Sequence, residues 1–125
     1  MKVLVVDDSD DSRFLLRKRL EKKRQFHIVG EAADGLEALK LVEELGPDIV
    51  IMDVRMPIMD GIEATRQIKE RFPSTSVLAH SAFGDLDQME AMREAGAVGY
   101  VLKDAPAEEL IMRLQDSFDE APVSH

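Results

Sequence analysis

Asp48-Ile49-Val50-Ile51-Met52-Asp53 stands between Gly46-Pro47 and a loop that opens with Val54, Arg55, Met56 and Pro57. Its four consecutive apolar residues, three of them β-branched, read as a strand buried on both faces, the kind found in the middle of a parallel sheet. The strand ends in a carboxylate. An unpaired buried charge is among the most costly things a fold can contain, so Asp53 belongs at the rim of the sheet, in a site.

The same arrangement occurs earlier in the chain, where Lys2 to Val6 (KVLVV) reads as a strand that delivers Asp7 and Asp8 at its end. Ser9 or Asp10 then caps a helix to about Arg24, with Phe14, Leu15, Leu16 and Leu20 as its apolar stripe. Its other face carries Arg13, Arg17, Lys18, Lys22, Lys23 and Arg24, which fits a solvated helix face or a partner-docking surface. His27 to Ala32 is a second strand. Asp34-Gly35 turns into a helix with Leu36, Leu39, Val42 and Leu45 on one side, ended by Gly46-Pro47. After the central strand, Asp60-Gly61 leads into a helix from about Ile62 to Arg71, with Ile62, Thr65, Ile68 and Phe72 inward. Ser76 to His80 is the fourth strand, ending at Ser81. A fourth helix spans about Leu86 to Ala95, with Leu86, Met89 and Met92 at helical spacing. Val98 to Leu102 is strand five, with Lys103 at its end, and Pro106 begins a last helix whose buried stripe is Leu110, Ile111, Leu114 and Phe118.

Five strand patterns alternating with five helix patterns over short connections predict an α/β fold, a doubly wound five-stranded parallel sheet with helices on both faces. Right-handed crossovers favour the strand order 2-1-3-4-5. Ligands of such sheets bind beyond the carboxyl ends of the strands where the order reverses, here between strands one and three. That point brings Asp7, Asp8 and Asp53 together.

The 125 residues suit one domain with its own core. No apolar run approaches the ~18 residues of a membrane span, and no leader precedes the first strand, so a cytoplasmic protein is expected. Cysteine is absent, which removes disulfides, thiolate metal sites and thiol nucleophiles. A formal net charge of -9 argues against nonspecific binding to nucleic acid or anionic lipid, and any DNA contact would need another module.

Three converging carboxylates stay ionised together only beside a cation. Oxygen donors without histidine or cysteine point to a hard ion, Mg2+ first, with coordination positions left for phosphate oxygens. Lys103 and Ser81 add a fixed positive charge and a hydroxyl to the same rim. Together these groups can grip a phosphoryl group while a carboxylate attacks it in line.

VVDDSD, DIVIMDVRMPIMDGIEA, HSA and GYVLKDA resemble the receiver domain of two-component response regulators, and the likeness runs from Met1 to about Ala121. It implies the flavodoxin-like fold with the sheet order given above. It also implies that Asp53 is the phospho-acceptor and that Asp7 and Asp8 hold Mg2+ with Asp53 and the main-chain carbonyl of Arg55. Ser81 then matches the switch hydroxyl, Tyr100 the aromatic that turns inward behind it, and Lys103 the lysine that pairs with the phosphoaspartate. The implied phosphodonor is a sensor histidine kinase or a histidine phosphotransfer protein. Phosphorylation would switch the face of helix four, strand five and helix five, and a homodimer through the helix four to helix five face is one possibility the family offers.

Lys103 is followed by Asp104 where the family commonly has proline, and the GYVLKDAPAEEL run resembles the NarL and FixJ type. That type implies a DNA-binding output domain, with residues 122–125 as a short tail or the start of a linker. Arg55 and Phe83 border the route by which water reaches the phosphoryl group, so slow loss of phosphate is expected. His80 reads as a satisfied strand histidine or a proton-sensitive element. A competing reading is a small phosphatase or phosphotransferase with an aspartyl nucleophile. Such enzymes place an acidic residue two positions after the nucleophile, where this chain has Arg55, so a self-modifying switch is expected and not an enzyme.

Overall fold

The computed structural model describes residues 1–119. Five parallel strands, β1 (Lys2–Val6), β2 (His27–Ala32), β3 (Ile49–Met52), β4 (Ser76–Ser81) and β5 (Gly99–Leu102), form one sheet in the order β2-β1-β3-β4-β5. Between and after them run α1 (Asp10–Glu21), α2 (Gly35–Leu45), α3 (Gly61–Arg71), α4 (Leu86–Ala95) and α5 (Ala107–Asp119). β3 is buried along its whole length, as its unbroken apolar run requires.

Alternation along the strands divides the core in two. Leu4, Val6, Val50, Met52, Val77 and Ala79 face one side, where they meet α2, α3 and α4 residues such as Leu39, Val42, Ile68 and Met92. Val3, Val5, Ile49, Ile51, Leu78 and Val101 face the other, against Leu16 and Leu20 of α1 and Leu110 and Leu114 of α5. Four helices start on a side-chain cap: the oxygens of Ser9, Asp34, Asp60 and Asp85 accept backbone N–H groups of the first turn. Gly46 closes α2 in the left-handed conformation at φ 54°.

Four residues assigned to apolar helix faces by periodicity are exposed. Phe14 and Leu15 are about half exposed at 52% and 50%, because three successive residues span some 200° of a helix surface at ~100° each and cannot share one buried stripe. Leu36 lies outward while Gly35 and Ala38 face inward. A Cβ at Gly35 would sit 3.0 Å from that of Ala64, so α2 and α3 approach through small residues. Leu86 opens α4 in solvent. The ends also move: α1 stops at Glu21, β4 includes Ser81, and β5 begins at Gly99. The side chain of Phe118 and the tail at 122–125 lie outside the described residues.

Candidate functional site

The hydrogen-bond ladder of the sheet runs one residue past three strand ends. Asp7 N–H donates to Ala32 O (3.0 Å), Asp53 N–H to Val6 O (2.9 Å) and Lys103 N–H to Ser81 O (2.7 Å). These bonds fix Asp7, Asp53, Ser81 and Lys103 at one rim. The carboxylates of Asp7, Asp8 and Asp53 converge there, with one oxygen from each lying within 4.8 Å of the others.

Asp7 and Asp53 are buried and Asp8 is exposed, so the cluster opens to solvent on one side. Asp7 Oδ1 accepts the Ser9 N–H (2.9 Å) and Asp53 Oδ1 accepts the Val54 N–H (2.8 Å). Lys103 Nζ lies 2.6 Å from Asp7 Oδ2 and 3.3 Å from Asp53 Oδ2. Asp7 Oδ2 is buried with that ammonium as its one polar neighbour among the described residues. That oxygen suits a hard cation, and the all-oxygen donor set suits Mg2+. The carbonyl of Arg55 accepts no hydrogen bond among the described residues.

Burial, then the neighbouring charge of Asp7, pushes the Asp53 carboxyl up to about 6 against the pull of Lys103. Burial would lower the Lys103 ammonium, but Asp7 and Asp53 outweigh it and hold it above the usual lysine value. One cation thus serves two carboxylates, and a third, Asp8, has none among the described residues.

The chain from residue 3 to residue 115 matches the family model of the response regulator receiver domain. It belongs to that family. The receiver is 45% identical over 101 residues to the chemotaxis protein CheY of Halobacterium salinarum, covering 81% of this chain and 82% of that one. With the transcriptional regulatory protein YhcZ of Bacillus subtilis it shares 40% over 115 residues, 92% of this chain and 54% of that protein. It therefore spans about half the length of that relative. The signal receiver domain of NarL from Mycobacterium tuberculosis has a TM-score of 0.90 at 31% identity, over 95% of this chain and 96% of that one. The NarL-like impression of the GYVLKDAPAEEL run has this structural counterpart.

Behind the receiver's carboxylates, Ser81 is buried and its Oγ accepts bonds from the Phe83 N–H (3.2 Å) and from Gln88 Nε2 (3.1 Å). Tyr100 is half-buried against the sheet. Its hydroxyl donates to Phe83 O (2.7 Å) and accepts from Gln88 Nε2 (2.6 Å). Arg55 lies over the Phe83 ring, 4.5 Å from its centroid, and its Nε donates to Gln88 Oε1 (3.2 Å). Gln88 was not singled out by sequence reasoning, since a polar residue in the first turn of a helix looks like any solvated one.

His80 is buried, with Nδ1 unpartnered among the described residues. Burial and the positive charges of Lys103 and Arg19 hold the ring down to about 4 against the opposing charge of Asp7. Of the α1 cations, Arg13 bonds the Asp7 carbonyl, Asp10 and Glu31, and Arg17 reaches Glu31 (2.7 Å) and Glu21 (3.6 Å). This side of the helix is tied to β2 and to the site.

One glycine requirement was also missed. A Cβ at Gly61 would lie 2.0 Å from Asp53 O, so α3 begins in direct contact with the backbone of the acidic rim. In the sequence Asp60-Gly61 reads only as the lead into a helix.

Proposed function

We propose that Asp53 accepts a phosphoryl group from a phosphohistidine on a sensor histidine kinase or histidine phosphotransfer protein, with Lys103 and Ser81 taking up the added charge. The observation that carries this reading is the Lys103 ammonium set between Asp7 Oδ2 and Asp53 Oδ2, at 2.6 and 3.3 Å, on a rim with a third carboxylate. A carboxylate oxygen of Asp53 forms the new bond to phosphorus while the donor nitrogen keeps the electron pair of the bond that breaks. Asp7, Asp8, Asp53 and the Arg55 carbonyl would hold Mg2+, which supplies charge neutralisation to the incoming phosphoryl oxygens. Lys103 stays protonated throughout, because both of its carboxylate partners favour the ammonium.

A phosphoryl group adds nearly one further negative charge and three acceptor oxygens. Ser81 accepts two hydrogen bonds, so its own proton is what it has to donate to those oxygens. Moving Ser81 strains its bond from Gln88 on α4, and with it the seat of Tyr100. The face of α4, β5 and α5 is accordingly the readout surface, for a homodimer contact or an output domain. Phosphate is lost slowly, because Arg55 stacked on Phe83 covers the approach of water. Residues 1–121 make up the receiver unit, working in the cytoplasm, with DNA binding left to an output domain outside it.

The test is incubation with Mg2+ and an acyl phosphate donor followed by intact mass measurement. One phosphoryl adduct on the wild-type chain, absent in Asp53→Ala, is the expected result. Adducts that persist in Asp53→Ala, or catalytic phosphate release from many esters without an adduct, would overturn the reading. Phe83→Ala and Arg55→Ala shorten the adduct's half-life, and an unchanged half-life in both would remove their assigned part.

A further inference from the structure

Gln88 is hydrogen-bonded to three members of the network around Ser81, namely Ser81 itself, Tyr100 and Arg55. Its amide nitrogen donates to Ser81 Oγ (3.1 Å) and to Tyr100 OH (2.6 Å), while its amide oxygen accepts from Arg55 Nε (3.2 Å). A primary amide has two donors and an acceptor, and here all three functions are used. Ser81 stands on the rim of the acidic site, Arg55 lies with Phe83 at its mouth, and Tyr100 stands on β5 on the side of the sheet that carries α4. Phe83 gives a second link, since its carbonyl accepts from Tyr100 OH and Arg55 stacks on its ring, but among the described residues only Gln88 hydrogen-bonds Arg55, Ser81 and Tyr100 together.

We infer that Gln88 is a positioning residue that couples the lifetime of the phosphoryl group to the seating of Tyr100. Its oxygen holds the Arg55 guanidinium over the Phe83 ring, and its nitrogen holds Ser81 and Tyr100 in register with α4. A partner that pulls α4 outward therefore releases Arg55 as well as Tyr100, and exposes the phosphoryl group to water. Output binding and signal termination become linked through one amide. The inference rests on the reading of Asp53 as acceptor.

Two variants divide the amide's functions. Gln88→Leu removes all three bonds at similar volume, whereas Gln88→Glu keeps an oxygen for Arg55 and loses both donors. Tyr100 is the only tyrosine and the chain has no tryptophan, so collisional quenching of intrinsic emission by acrylamide reads that ring alone, with or without phosphate. Gln88 lies in the first turn of α4 and is half-exposed, so both variants keep the fold.

Losing a net hydrogen bond corresponds to a several-fold change in population, so quenching of Tyr100 rises about twofold in both variants. The phosphoryl half-life falls about threefold in Gln88→Leu and stays near wild type in Gln88→Glu, whose carboxylate still holds Arg55. A Gln88→Leu protein with wild-type quenching or a wild-type half-life overturns the coupling. So does a Gln88→Glu protein that loses phosphate as fast as Gln88→Leu. A wild-type chain that takes up no phosphoryl group sinks the acceptor reading instead, and unchanged quenching in Gln88→Leu would then overturn the Gln88 bridge by itself.

Discussion

The carboxyl of Asp53 works against the fold that holds it. Burial and the charge of Asp7 raise it from 3.8 to about 6, so the folded protein keeps a proton that the unfolded chain has already released. The associated stability is fully present below the unfolded value and is lost as pH rises through about 6. His80 does the reverse. Its ring is held down from 6.5 to about 4, so the unfolded chain takes up the proton first, and stability present above 6.5 is lost as pH falls through about 4. The two windows overlap and their slopes oppose each other in the wild-type protein. Denaturant titrations in chelator should separate them. Relative to wild type, Asp53→Asn loses stability as pH falls from 6.5 to 4, and His80→Asn gains it over the same range. At pH 7 Asp53→Asn is the more stable protein by about 1–3 kcal/mol, since one pKa unit is worth ~1.4 kcal/mol. An Asp53→Asn protein with the wild-type pH profile would mean that this carboxyl is not strained by its surroundings.

At the scale of elements, the strands were the legible part of the sequence. Gly46-Pro47 and Pro57 bracket β3, the alternation of turn signals gives the count, and the sheet order follows from right-handed crossovers. The rim was legible for the same reason, because a carboxylate, hydroxyl or lysine just past a buried strand has only one place to go. Helix faces were less legible. Phe14 and Leu15 adjoin Leu16 with nothing in the sequence to say which of them faces the sheet, and the Gln88 bridge depends on where a loop sets α4. Gly61 marks where local reading ends, since only the fold brings the start of α3 against Asp53 O. Gly61→Ala should therefore cost about 3 kcal/mol or more in thermal or denaturant unfolding, because the opposing atom is rigid backbone, and should shift Asp53 enough to depress phosphoryl uptake. Gly46→Ala is the control. Gly46 has φ 54° and nothing within 4 Å of its missing Cβ, so that change costs about 1 kcal/mol of conformational strain and leaves uptake unchanged. Equal losses of uptake in the two variants would separate Gly61 from the site.

The whole molecule carries a net charge of -9, and its buried carboxylates share a single lysine at one end of the sheet. Self-repulsion of this kind is relieved by any cation, so a rise in stability with magnesium could come from general screening or from the acidic rim. Specific binding to the native state adds RT ln(1 + [L]/Kd), about 2.7 kcal/mol at a hundredfold excess over Kd, whereas screening depends on ionic strength alone. Thermal melts in magnesium chloride and in sodium chloride of matched ionic strength distinguish the two. Magnesium should raise the wild-type midpoint well beyond the sodium control, and Asp8→Asn should remove that excess, since Asp8 is the exposed member of the cluster. Asp116→Asn, an exposed carboxylate on α5, should keep it while changing the formal charge by the same amount. Magnesium should also flatten the Asp53 contribution to the pH profile, because a bound cation restores the carboxylate to its ordinary range. An excess that survives in Asp8→Asn, or disappears equally in Asp116→Asn, would assign the stabilisation to overall charge and leave the three carboxylates without a metal.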